Sequence, residues 1–225
     1  MTTAPFLRKH LLQIAILLAP VAFCAALWDR FPDRVPIHWN LWGRPDGWSG
    51  KGVGLLFLPA LNVAIAVLFA WLPRLDPKLR KASFSPDRMA AALGILRLAV
   101  TAFLSFVALL MAAAALGVAF NMTRVAMDAA LVLLLVLGNF LGNLRPNYFI
   151  GVRTPWTLES PEVWRATHRI CARILVFGSL GLLLLQFALT PLQLTAGIVL
   201  FSLGTSVWAF VYSYRISPRK TGPGP

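Results

Sequence analysis

The chain has 225 residues, 58% of them hydrophobic, with a mean hydropathy of +0.73 and a net charge of +13. A soluble domain is roughly 45–50% apolar, so the composition excludes an ordinary soluble globule. The 21 Lys and Arg against 8 Asp and Glu would favour nucleic acid in a soluble protein. No basic helix or aromatic platform stands free of the apolar runs, so no nucleic-acid partner is expected and the basic excess is read as a marker of membrane sidedness.

The apolar runs are each about as long as the ~20 residues that cross a hydrocarbon core. They predict an all-α fold, a polytopic membrane helix bundle of about six transmembrane helices. The first span is Leu11–Trp28, read as an uncleaved span because it is long for a signal peptide and lacks a small-x-small exit. The second is Val53–Leu72 and the third lies within Met89–Phe120, with Arg97 snorkelling to the interface. The fourth is Met127–Leu144, the fifth Ile170–Leu189 and the sixth Leu194–Tyr214. With the N-terminus inside, 15 of the 21 basic residues fall on the inner side and 5 on the outer, with Arg97 in a span. Both termini are therefore expected in the cytoplasm. Residues 1–88 form a two-span module with an outer loop, and residues 89–225 a four-span module with an inner one. Cys24 and Cys171 stand in or beside apolar runs with no CxxC or Cys/His cluster, and indicate neither a disulfide nor a zinc site. No cofactor is expected.

The outer loop, residues 29–52, has a pattern of its own. Val35, Ile37, Trp39 and Leu41 alternate with Pro36, His38 and Asn40, as in an extended segment. Arg44-Pro45-Asp46-Gly47 has the chemistry of a turn. Trp28, Trp39, Trp42 and Trp48 surround it, either as an interfacial aromatic belt or as a small cap with ring faces for an apolar or cationic ligand. The inner loop, residues 73–88, carries turn and helix-start signals at Asp76-Pro77 and Ser85-Pro86-Asp87 and reads as solvated and close to anionic lipid. The tail from Ser217 to Pro225 is expected to be disordered.

The stretch GNFLGNLRPNYFIGVRTPWTLESPEVWRATH, from Gly138 to His168, concentrates the chemistry of the chain. Gly138 and Gly142 permit close approach of a second helix. Asn139 and Asn143 lie beside them and need hydrogen-bond partners near hydrocarbon. Arg145-Pro146 ends the fourth span. Asn147 to Pro155 is irregular but compact, with a bend at Gly151, and Arg153 could pair with a carboxylate or phosphate. Ser160-Pro161-Glu162 starts a helix whose Val163, Thr167, Ile170, Cys171 and Ile174 share one face and whose Arg165, Arg169 and Arg173 share the other. No acid lies deep in a span, Asp128 being placed at an outer end, and a carrier driven through a membrane carboxylate is disfavoured. Enzyme signatures such as HExxH, GxSxG or a P-loop are absent from the sequence, so no enzyme is expected.

Two stretches resemble a known family. FPDRVPIHWNLWGRPDGWSGK resembles the short N-terminal domain of unknown function of SdpI-type proteins, and the inner stretch resembles the signature of the SdpI family itself. The family's motif residues map onto His38, Asn40, Gly43, Asp46 and Gly47 outside. Inside they map onto Asn143, Arg145, Pro146, Asn147, Gly151, Arg153, Thr154, Pro155, Trp156, Trp164 and His168, and Asn139 is added as a binding candidate. The resemblance implies a multi-pass protein of the bacterial inner membrane with an immunity or signal-transduction role. Its partners beyond the lipid bilayer would be a peptide toxin outside and a regulator protein in the cytoplasm. The alternative is a small transporter or a lipid- or anion-interacting permease using the Arg/Asn cluster.

Overall fold

The structure is a computed structural model that describes residues 3–81 and 86–218. Ser85 and the tail beyond Pro218 lie outside the described residues. Eight helices follow in order, with a hairpin after the first. They are α1 (Thr3–Ala26), β1 (Arg34–Trp39), β2 (Pro45–Gly50), α2 (Lys51–Leu75), α3 (Pro77–Lys81), α4 (Pro86–Ala115), α5 (Met122–Leu141), α6 (Pro155–Glu159), α7 (Pro161–Leu185) and α8 (Pro191–Arg215). Five of them (α2, α4, α5, α7 and α8) are long and apolar enough to cross a membrane, and α1 adds a shorter apolar stretch, Leu11–Ala26. The expected all-α membrane bundle is thus present. Large apolar side chains such as Phe57, Phe177, Leu200 and Val207 lie exposed on the helix flanks, as lipid-facing residues must.

Several boundaries move for physical reasons. α5 begins five residues before the expected Met127, because Asn121 caps it by accepting from the backbone N–H of Arg124 at 3.0 Å. It ends at Leu141, and the backbone N–H groups of Asn143 and Leu144 donate back to Phe140 and Leu141 in a tightened last turn. Asp128 accordingly stands six residues inside the helix, about 9 Å from its start, not at its end as expected. α7 absorbs the helix predicted before the fifth span. Ser160 caps it, accepting from Val163 N–H at 3.2 Å, and it runs unbroken from Pro161. Val163, Thr167 and Cys171 are buried on one side, with Arg165, Arg169 and Arg173 exposed on the other, as the periodicity required. α2 passes through Pro59 without interruption.

Two devices fix the helix arrangement, one polar and one steric. α4 packs on α1, α2 and α5, and a buried polar layer ties it to the first two. Gln13 donates to Thr101 Oγ1 at 3.1 Å, Asn62 donates to Thr101 O at 3.0 Å and Ser105 Oγ at 2.9 Å, and Ser105 donates to Ile16 O at 2.8 Å. α5 and α7 pack closely along their length. A Cβ added at Gly138 would meet Leu175 Cβ at 2.7 Å and Ala172 O at 3.2 Å, whereas one at Gly142 would meet only Ala172 Cβ and Arg169 Cγ at 3.9 Å. The pair read from the sequence therefore acts through its first glycine.

The hairpin and the α5–α7 connection lie at opposite ends of the helices. The hairpin is antiparallel, pairing Val35 with Ser49 and Pro36 with Trp48, and irregular between Pro36 and Trp39. Ile37 falls in that irregularity, so the alternation breaks: Val35 is buried while Ile37 is exposed. The turn also differs from the Arg44–Gly47 expectation. It is built at Asn40–Gly43, where Asn40 Oδ1 accepts from the N–H groups of Trp42 at 3.0 Å and Arg44 at 3.1 Å. Gly43 takes φ +77°. Pro45 instead starts β2, a place where a missing N–H is tolerated.

Candidate functional site

The loop between α5 and α7 is shaped by side chains that turn inward. Asn147, fully buried, donates to the carbonyls of Arg145 at 2.8 Å and Ile150 at 3.0 Å. Its Oδ1 accepts from Phe149 N–H at 2.9 Å and Ile150 N–H at 2.7 Å. One amide thus uses both donors and its acceptor to close a turn, which an Asp or Leu of the same size could not do. Asp76, at the end of α2, closes the turn from the other side. Its Oδ2 accepts from Tyr148 N–H at 2.7 Å, and its Oδ1 from Lys78 N–H at 2.8 Å and Leu79 N–H at 3.3 Å. Lys78 donates to Leu158 O, and its ammonium lies 4.8 Å from the centre of the Tyr148 ring.

His168 supports the second half of the loop. Val152 N–H donates to its Nε2 at 3.0 Å, so Nε2 carries a lone pair and the proton resides on Nδ1, which donates to Trp164 O at 2.9 Å. The imidazole lies stacked on the Trp164 indole, centroids 4.0 Å apart, and the indole Nε1–H donates to Leu144 O at 2.8 Å. Gly151 crosses this ring at φ +108°, and a Cβ there would come within 2.3 Å of Nε2. Bulk and backbone angle both require glycine here.

The rest of the motif fixes the loop to α8. Thr154 caps α6, and Thr157 Oγ1 donates to Val152 O at 2.8 Å. Thr154 Oγ1 meets Ser213 Oγ at 2.9 Å, and the Trp156 ring packs on Phe210 and Tyr214 at 5.2 and 5.0 Å. Pro155 opens α6, and Pro146 lies between Arg145 and the Asn147 turn. The inward set leaves Tyr148 and Phe149 on the surface at 46% and 42% exposure, beside an exposed Arg153 whose Nη1 donates to Tyr148 O at 2.8 Å. Arg153 is therefore partly committed to the loop's own backbone. Asn139 and Asn143 are exposed and make no side-chain hydrogen bond among the described residues, in contrast to the partners expected for them.

The hairpin residues are brought together separately. His38 Nδ1 and Asp46 Oδ1 pair at 2.5 Å on the exposed surface. Gly47 lies against His38, where a Cβ would meet His38 Cβ at 2.9 Å, and Gly43 presses on the Asn121 side chain. Thr123 Oγ1 donates to Asn40 O at 2.7 Å and Asn121 Nδ2 to Trp42 O at 3.4 Å, so the hairpin is fastened to the start of α5. Trp42 remains 70% exposed. Asp76 is fully buried, in contrast to the solvated segment that the inner-loop pattern suggests. Its Asp-Pro signal was legible, but the partner 72 residues away was not. Among the described residues no group of three or more His, Cys, Asp or Glu is placed to hold a metal.

These two clusters coincide with two matched regions. The domain of unknown function DUF1648 matches residues 15–63, and the SdpI/YfhL protein family matches residues 143–213. The immunity protein SdpI of Bacillus subtilis (strain 168) is 24% identical over 183 residues, covering 80% of this chain and 83% of that protein. The chain resembles the SdpI family over residues 143–213. It is a multi-pass bacterial membrane protein. No solved structure matches it. The matched inner region begins at Asn143, where the α5 helix gives way to the loop.

Proposed function

We propose that this chain is a non-enzymatic membrane immunity protein that protects its cell from a membrane-active peptide. The hairpin is the outer surface that meets the peptide, and the Tyr148–Arg153 loop is an inner surface for a cytoplasmic regulator. The observation that carries this reading is the loop itself. Asp76, Asn147, Thr157 and His168 are turned inward to hold one backbone shape, while two aromatic rings and a guanidinium are presented outward. Aromatic and Arg side chains are what partner surfaces favour, and an aromatic ring loses little conformational freedom on binding. The relative named an immunity protein supports the peptide half of the reading, and the 15 of 21 basic residues on the loop side support its placement in the cytoplasm.

Two measurements test it. Cells expressing the chain and cells carrying an empty vector are challenged with membrane-active peptides; survival of the expressing cells is expected, and equal killing by every peptide rejects the immunity role. For sidedness, Cys24 and Cys171 become Ala and Ser160→Cys supplies one thiol for a membrane-impermeant reagent. Labelling only after permeabilisation is expected. Labelling of intact cells would place the loop outside and reject the regulator surface.

A further inference from the structure

α4 and α5 line an open lateral groove of about 470 Å³. That lies within the ~300–1,000 Å³ of ordinary ligand sites. Ala102 and Ala129 leave the space, while Phe103, Phe106 and Val132 supply apolar walls. Asp128 is the one charged residue in its lining. Its Oδ1 is shut off from solvent and has no hydrogen-bond partner among the described residues. The obvious internal partner, Arg124 one turn earlier, turns its guanidinium to the Gln186 carbonyl instead. A carboxylate oxygen left unpaired at this depth is costly, and such residues in spans ordinarily have a partner. Here Arg124 acts on the carboxylate through its charge but makes no hydrogen bond to Oδ1, and the space beside it is apolar.

We infer that this groove binds a cationic amphipathic peptide, its apolar face between Phe103 and Val132 and one Lys or Arg on Asp128. A peptide fits better than a single lipid because the helix that lines the groove also carries, at its start, the hairpin with its exposed Trp42. The start of α5 carries Asn121 and Thr123, which hold the Trp42 turn, and reaches Asp128 within two turns. The path from Asn121 to Val136 is about 22 Å along the helix, with an exposed indole at its aqueous end and an acid where the apolar part begins. Only a ligand both long and amphipathic uses all of it. This assignment rests on the peptide-immunity reading above and adds where and by what chemistry the peptide is held.

The test uses the full chain in phosphatidylcholine nanodiscs and a defined probe, an 18-residue Leu/Lys helical peptide with one benzophenone side chain. Photolabelling is expected within residues 99–106 and 125–136. Asp128→Asn should weaken labelling about tenfold in apparent affinity, Asp128→Glu should restore it to within about threefold, and Ala129→Phe should abolish it by filling the space. A Lys→Gln version of the probe should bind wild type no better than the original binds Asp128→Asn. Labelling elsewhere overturns the site, as does equal labelling of all variants with unchanged thermal unfolding. So does a phosphatidylethanolamine retained through Asp128 that the probe does not displace. Survival assays separate the two claims. If wild type, Asp128→Asn and Ala129→Phe protect cells equally, the groove is wrong and the immunity reading stands. If wild type fails to protect while labelling depends on Asp128, the groove stands and the immunity reading falls.

Discussion

The hairpin end and the loop end of this protein each hold a short irregular stretch in one shape, but by different means. At the hairpin, a backbone ladder and a two-residue pairing of His38 with Asp46 do the work, and the paired side chains are exposed. At the loop, there is no ladder. Asp76, Asn147, Thr157 and His168 supply the missing partners from buried positions. Exposed pairs exchange with water at little cost, whereas a buried N–H deprived of its acceptor costs about 1–3 kcal/mol. The hairpin should therefore tolerate substitution, and the loop should not. The hairpin's surface is the more adaptable of the two, while the loop presents Tyr148 and Phe149 in one arrangement.

That contrast can be broken most directly at Gly151. Gly151→Ala combines a left-handed backbone angle with a Cβ 2.3 Å from the His168 ring, and should cost about 3 kcal/mol or more. Thermal unfolding in detergent would measure it, with Gly142→Ala, where the nearest contact is 3.9 Å, as the near-neutral partner. Next comes Asp76→Ala, which leaves the N–H groups of Tyr148, Lys78 and Leu79 without their acceptor. A loss of about 2–3 kcal/mol is expected, with faster proteolysis between residues 145 and 153. Asp76→Asn, which keeps one oxygen, should lose less. At the hairpin, Gly43→Ala meets a similar angle, φ +77°, but its close neighbour is the end of the flexible Asn121 side chain. About 1–2 kcal/mol is expected there. The smallest effect is Asp46→Asn, within about 1 kcal/mol in the same melting assay. An Asp46 effect larger than that of Asp76 would reverse the comparison.

Much of this could be read along the chain because it is local. Apolar run lengths gave the spans, Ser160-Pro161 gave the start of α7, and the spacing of Arg165, Arg169 and Arg173 gave its exposed side. Gly138 was legible as a close approach, though its neighbour Leu175 was not. The misplacements share a cause. The start of α5 was set by the Asn121 cap rather than by where hydrophobicity rises, which moved Asp128 into the helix. The hairpin turn was set by Asn40 rather than by Pro45. In both, one side-chain hydrogen bond to the backbone outweighed composition. The candidate loop was recognised as chemical, but which residues face inward depends on Asp76 and Ser213, far away in sequence.

Asp76 also orders events during synthesis. Its carboxylate completes its hydrogen bonds only when Tyr148, 72 residues later, is in place. At about 5–20 residues per second that interval is roughly 4–14 s, longer by orders of magnitude than helix formation. Through that time α1, α2 and the hairpin can assemble, while the end of α2 carries an acid whose last donor does not yet exist. The first third of the protein is thus made with an open socket, and the arrival of the loop fills it.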